Sequence, residues 1–94
     1  MIRVLIERYV DNSLEQHYEI AARKVLQGAV QAPGFISGES LRDMQDPTHR
    51  LILCTWTTVQ QWQQWYASQT RHSLMAELSP MLDKEEKVTL LDHI

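Results

Sequence analysis

Arg50-Leu51-Ile52-Leu53-Cys54-Thr55-Trp56-Thr57 is the stretch that decides the fold, because an extended chain with this sequence is apolar on both faces. A strand with no polar face needs cover on both sides of its sheet. Upstream, Gln45-Asp46-Pro47-Thr48-His49 has the composition of a turn. Before it, residues 35–44 read as a weaker strand in which Gly38 marks a bulge or a close backbone approach. Pro33-Gly34 ends the preceding helix, since proline cannot continue the hydrogen-bond ladder. In that helix Leu14, Tyr18, Ala21, Val25 and Ala29 recur at three- and four-residue steps, widened by Ala22, Leu26 and Val30. Ser13 and Gln16 have the spacing of a capping box at its start. The chain opens on a strand over 2–10, with Ile2, Val4 and Ile6 facing one way and Arg3, Leu5, Glu7 and Tyr9 the other.

Downstream, Thr57 or Thr58 caps a second helix in which Val59, Trp62 and Tyr66 share a face and Trp65 lies off it. Thr70 caps a continuation carrying Leu74, Leu78 and Met81, ending near Ser79-Pro80. Residues 85–92 supply a last strand, with Val88 and Leu90 on one face and Leu91 on the other. The order β-α-β-β-α-β predicts an α+β, ferredoxin-like domain over residues 1–94, with two helices on one face of a four-stranded antiparallel sheet. The other face carries Leu5, Tyr9, Leu51, Leu53 and Leu91, and no element remains to cover it. An apolar patch of this kind marks an interface, so the expected partner is a second copy, packed sheet to sheet about a twofold axis.

Composition narrows the function classes. The chain has 94 residues, 44% hydrophobic and 22% charged, with a net charge of −3, so it resembles one globular domain without a basic stripe for nucleic acid. No apolar run is long enough to cross a membrane. The N-terminus MIRVLIERYV alternates instead of forming a signal-peptide core, which makes the cytoplasm the expected location. The single Cys54 cannot form an internal disulfide and reads as a buried, inert thiol.

The segment Trp56-Thr-Thr-Val-Gln-Gln-Trp62-Gln-Gln-Trp65-Tyr66-Ala-Ser68, with Pro33-Gly34-Phe35 between the first helix and second strand, resembles the antibiotic biosynthesis monooxygenase-like group of dimeric α+β barrels. The resemblance runs over nearly the whole chain. It implies a pocket between sheet and helices, in which cofactor-free oxygenases of the group act on aromatic or quinol-type molecules. Trp56 matches the tryptophan that helps define that pocket. On this reading Trp56, Tyr66 and His72 are the candidate catalytic residues, with His72 as general acid or base. Trp62, Trp65 and Glu7 are the candidate substrate-binding residues, and the ligand is a small apolar or aromatic molecule. No cofactor and no metal are expected. Core packing outweighs chemistry as the account of Trp62 and Tyr66, and a structural ion pair with Arg3, Arg42 or Arg50 of either chain of the dimer outweighs a catalytic base for Glu7.

Two other branches of the group fit less well. For haem degradation, the first-strand asparagine position carries Glu7 and the axial-histidine position Met75. For the isomerase branch, the expected helix histidine is replaced by Trp65, and the next position is Thr70. His17, His49, His72 and His93 lie in different elements without the i,i+4 spacing of a metal-binding helix. Phosphate loops and Ser/His/Asp or Cys/His arrangements are missing. The alternative to an oxygenase is a non-catalytic ligand-binding or stress-associated dimer of the same fold.

Overall fold

The computed structural model describes residues 1–94. Strand β1 (Ile2–Tyr9) is followed by a 3₁₀ turn (Asn12–Leu14), helix α1 (Glu15–Val30), strands β2 (Phe35–Arg42) and β3 (His49–Trp56), helices α2 (Val59–Tyr66) and α3 (Gln69–Leu78), a second 3₁₀ turn (Ser79–Met81) and strand β4 (Lys87–Asp92). The sheet runs β2-β3-β1-β4, antiparallel throughout, the expected ferredoxin-like topology with the second helix broken in two.

Side-chain alternation assigns the faces as expected. Ile2, Val4, Ile6, Arg8 and Val10 are buried under the helices, as are Arg50, Ile52, Cys54 and Trp56 from β3. Register sets Ile2 opposite Trp56, Val4 opposite Cys54 and Ile6 opposite Ile52. From α1, Tyr18, Ala21, Ala22, Val25 and Ala29 complete the layer. The opposite face pairs Leu5 with Leu53 and Tyr9 with His49, and it has no covering element within the chain.

Local chemistry moved several boundaries. Asp11, not Ser13, starts the first helical turn: its carboxylate accepts from Ser13 N at 2.9 Å and Ser13 Oγ at 2.7 Å. Ser13 is thereby spent as a donor, and α1 begins at Glu15 without a side-chain cap. Thr58 caps α2, accepting from Gln61 N. Ser68, not Thr70, caps α3, accepting from Arg71 N at 3.2 Å while donating to Trp65 O at 2.7 Å. The irregularity in β2 falls between Phe35 and Ser37, while Gly38 marks a close approach: a Cβ there would lie 3.2 Å from the Phe35 ring and 3.3 Å from Leu26 Cδ1. Gly34 adopts φ +91°, a conformation that side chains with a Cβ resist, and turns the chain from α1 into β2.

The break between α2 and α3 also changes which aromatic faces inward. The sequence pattern puts Trp65 off the buried face and Tyr66 on it, whereas in the structure Trp65 is 6% exposed and Tyr66 47%. Gly28 makes this possible. A Cβ there would lie 3.0 Å from the Trp65 ring and 3.0 Å from Leu74 Cδ1, so only the bare backbone of α1 lets the indole approach. No helix is long and apolar enough to cross a membrane.

Candidate functional site

Trp56 ends β3 with its side chain pointing toward the helices and wholly buried. Its indole Nε1 donates to Cys54 Sγ at 3.3 Å. Phe35 and Trp62 stand edge-on to it, with ring centroids 5.4 and 5.6 Å away. Together with Ala29, Val25, Ile52 and Trp65 these rings wall a small cavity between the sheet and α1. Its volume is about 20 Å³, enough for about one water. Outside it, between α1 and β2, lies a groove of about 420 Å³ that shares Ala22, Leu26 and Ile52 with the inner chamber. The half-buried Leu26 side chain stands at this boundary.

The polar end of the chamber is cationic. Arg8 and Arg71 both line it. Arg8 occupies the core-facing parity of β1 and is 2% exposed. Its Nε donates to Glu86 Oε2 at 3.0 Å and its Nη1 to the Tyr18 hydroxyl at 3.2 Å. Arg71, near the start of α3, donates from Nη2 to Glu86 Oε1 at 2.7 Å. Its guanidinium lies 4.7 Å from the Tyr66 ring centroid, a cation–π contact that fixes its plane. Arg71 Nε is buried, and no protein acceptor reaches it. Burial alone would raise the Glu86 pKa, but the two guanidinia outweigh it and hold the carboxyl below its ordinary value. Burial raises the Cys54 thiol pKa, keeping it protonated and unreactive.

A second cluster sits on the open face. His49 Nδ1 lies 3.1 Å from Asp43 Oδ2 and Nε2 lies 3.2 Å from Glu7 Oε1. The imidazole stacks on Tyr9 with centroids 4.5 Å apart, and Lys84 Nζ lies 4.1 Å from the Tyr9 centroid. The Asp43 hydrogen bond is the largest of the influences that raise the His49 pKa.

The structure therefore brings together Trp56, Trp62 and Trp65, but not the other three candidates. Tyr66 covers Arg71 from outside, His72 is exposed on α3, and neither lines the cavity. Glu7 projects from the opposite sheet face, where its partner within the chain is His49. The residues sequence reasoning passed over are Arg8, Arg71 and Glu86. Arg8 had a readable signal: it shares its parity with Ile2, Val4 and Ile6, so the alternation that buries them buries it. No three His, Cys, Asp or Glu side chains come together as a metal site. Met75, the position matched to the haem branch's ligand, is buried with its sulfur 3.9 Å from Arg8 Nη2.

Comparison with known proteins agrees with this fold. The family model described as antibiotic biosynthesis monooxygenase matches residues 1–77, and the chain belongs to that family. A solved structure described as an antibiotic biosynthesis monooxygenase superposes with TM-score 0.90 at 16% identity, covering 100% of this chain and 99% of that one. A conserved protein from Methanosarcina mazei Go1 gives 0.87 at 20% identity, covering 95% and 88%. SnoaB, a cofactor-independent oxygenase from Streptomyces nogalater, gives 0.86 at 13%, covering 99% and 93%. At these identities the likeness is one of fold. No curated protein matches the sequence.

Proposed function

We propose that this member of the antibiotic biosynthesis monooxygenase family is a cofactor-independent oxygenase acting on a small aromatic, quinol-type molecule, with Trp56, Trp62 and Trp65 forming the substrate wall. The observation that carries the reading is the pairing of an aromatic-walled chamber with a cationic end, Arg8 and Arg71, in one enclosed site. Opened into the outer groove, the apolar chamber would take a flat ring, and fixed positive charge at one end favours the electron-rich anion that gives up electrons to oxygen. Converting a ring CH₂ to C=O with O₂ places one oxygen atom on the substrate. The other leaves as water with the two hydrogens, so the substrate itself supplies the electrons.

The open face supports a homodimer. Leu5, Leu51 and Leu53 are half-buried there, with nothing further in the chain to cover them. We place the protein in the cytoplasm, where the Cys54 thiol has no oxidising surroundings to resist.

One observation favours the rival, a ligand-binding dimer without turnover: none of Tyr66, His72 and Glu7 reaches the chamber to handle protons. Oxygen uptake with a panel of hydroquinones and anthrone-type substrates separates the two. Saturable uptake that falls in Trp56→Phe supports the oxygenase. Ligand binding without uptake across the panel rejects it in favour of the binding protein.

A further inference from the structure

Two buried guanidinium groups line the chamber and share one carboxylate. Arg8 and Arg71 both pair with Glu86, and no other carboxylate pairs with either. Side-chain exposures are 2% for Arg8, 6% for Arg71 and 11% for Glu86. The cluster therefore carries one positive charge more than it neutralises, at the end of a chamber otherwise walled by apolar side chains. A buried surplus cation is unfavourable unless something compensates it. Each nitrogen of Arg8 has a protein partner: Nε has Glu86, Nη1 has Tyr18, and Nη2 lies beside Met75 Sδ. Arg71 differs, because its Nε is buried with no protein acceptor. Buried donors are paired in the great majority of cases, and exceptions point to a ligand, ion or water. Glu86 on Nη2 and Tyr66 against the guanidinium plane hold Arg71 in place, so this donor is oriented in advance.

Resting on the proposed aromatic-binding chamber, we infer that the site selects a small aromatic monoanion, whose carboxylate or phenolate oxygen accepts from Arg71 Nε and balances the surplus charge of the Arg8–Glu86–Arg71 cluster. Arg8 supplies charge, Arg71 supplies charge and the donor, and Glu86 sets the remainder at one. Entry runs from the outer groove past Leu26, which must swing aside because the inner chamber as it stands admits about one water.

Calorimetric titration under nitrogen tests this on the full chain, with benzoate and its neutral isostere benzamide, and with 4-nitrophenol above and below its own pKa. The wild-type protein should bind benzoate, or 4-nitrophenolate, about tenfold or more tightly than the neutral counterpart. Arg71→Met should abolish that preference, while Arg71→Lys, which keeps charge but loses the planar donor, should keep part of it. Circular dichroism confirms that each variant is folded. If Arg71→Met is not, the wild-type pairs and Arg71→Lys decide. Equal affinity for anion and neutral form, no binding of either at millimolar concentration, or a preference intact in Arg71→Met would overturn the inference. Excluding oxygen keeps the two readings apart. Anion-selective binding without oxygen uptake in air rejects the oxygenase and leaves the subsite standing. Uptake with neutral hydroquinones that benzoate does not inhibit rejects the subsite and leaves the oxygenase.

Discussion

Ile52 and Leu53 are neighbours in sequence and belong to two different environments. Ile52 points under α1 into the chamber wall and is 7% exposed; Leu53 points to the open face and is half-buried beside Leu5. Both faces of the sheet are written in the same alternating code, but they handle charge differently. Under the helices, Arg8, Arg50 and Arg71 are buried, and each is held by carboxylates: Glu86 for Arg8 and Arg71, Glu15 and Glu19 for Arg50. On the open face, His49 sits between Glu7 and Asp43 near the surface. The covered face thus holds guanidinium groups that burial makes costly to leave unpaired, whereas the open face keeps its charges near water. The difference teaches where a mutation should act on the monomer and where it should act on assembly.

The strongest way to break that contrast is Glu86→Gln. It leaves Arg8 and Arg71 buried without a counter-charge and should cost about 3–5 kcal/mol in urea unfolding. A cost under about 1 kcal/mol would mean that water reaches the cluster freely. Added benzoate should recover part of the loss if the chamber takes an anion, by binding the folded state alone.

Next comes the neighbouring pair. Ile52→Ala should lose about 2–5 kcal/mol at any protein concentration, because it opens a hole in a packed layer. Leu53→Ala should cost less than about 1 kcal/mol in a monomer. In a sheet-to-sheet dimer its cost grows and the melting temperature comes to depend on protein concentration. Leu53→Lys should shift the proposed dimer to monomer in light scattering while leaving the far-ultraviolet circular dichroism unchanged. A wild-type protein that scatters as a monomer at micromolar concentration rejects the dimer.

The smallest effects are in pH. His49 binds its proton more tightly folded than unfolded, chiefly through the Asp43 hydrogen bond. Its contribution is therefore fully present below the ordinary value of 6.5 and is lost as pH rises through the raised folded value. Lying near the surface, it should be worth less than about 1 kcal/mol and vanish in His49→Gln. Glu86 runs the other way: its stabilisation is present above 4.5 and disappears as pH falls through its lowered folded value. A urea series from about pH 3 to 9 should show both slopes, with only the alkaline one removed by His49→Gln.

Much of this architecture was legible in the sequence because alternation and helical stripes are local signals. Leu51/Leu53 against Ile52/Cys54/Trp56 gave the two faces, and Thr58 gave a cap. Other errors came from competition between neighbours that a pattern does not resolve. Asp11 outcompeted Ser13 by taking both its donors, and Ser68 started a new helix one turn after Trp65, turning Tyr66 outward. The site was legible only on its aromatic side. Its charged end joins Arg8 to Glu86 across 78 residues, and no local spacing announces such a pair. What could be read was half of it: an arginine at a core-facing position must find a partner, whichever residue supplies it.

Strand β1 occupies an inner position in the sheet, yet it is made before the other three strands. Its partners come late: Ile2 pairs with Trp56 on one side and with Asp92 on the other. Until those residues are made, Ile2, Val4 and Ile6 have no sheet to join, and Arg8 has no Glu86. Contacts this distant in sequence slow folding, because a long loop must close before any of them forms. The nascent chain therefore carries an unpaired apolar strand until β3 is made, open to contact with other chains in the meantime.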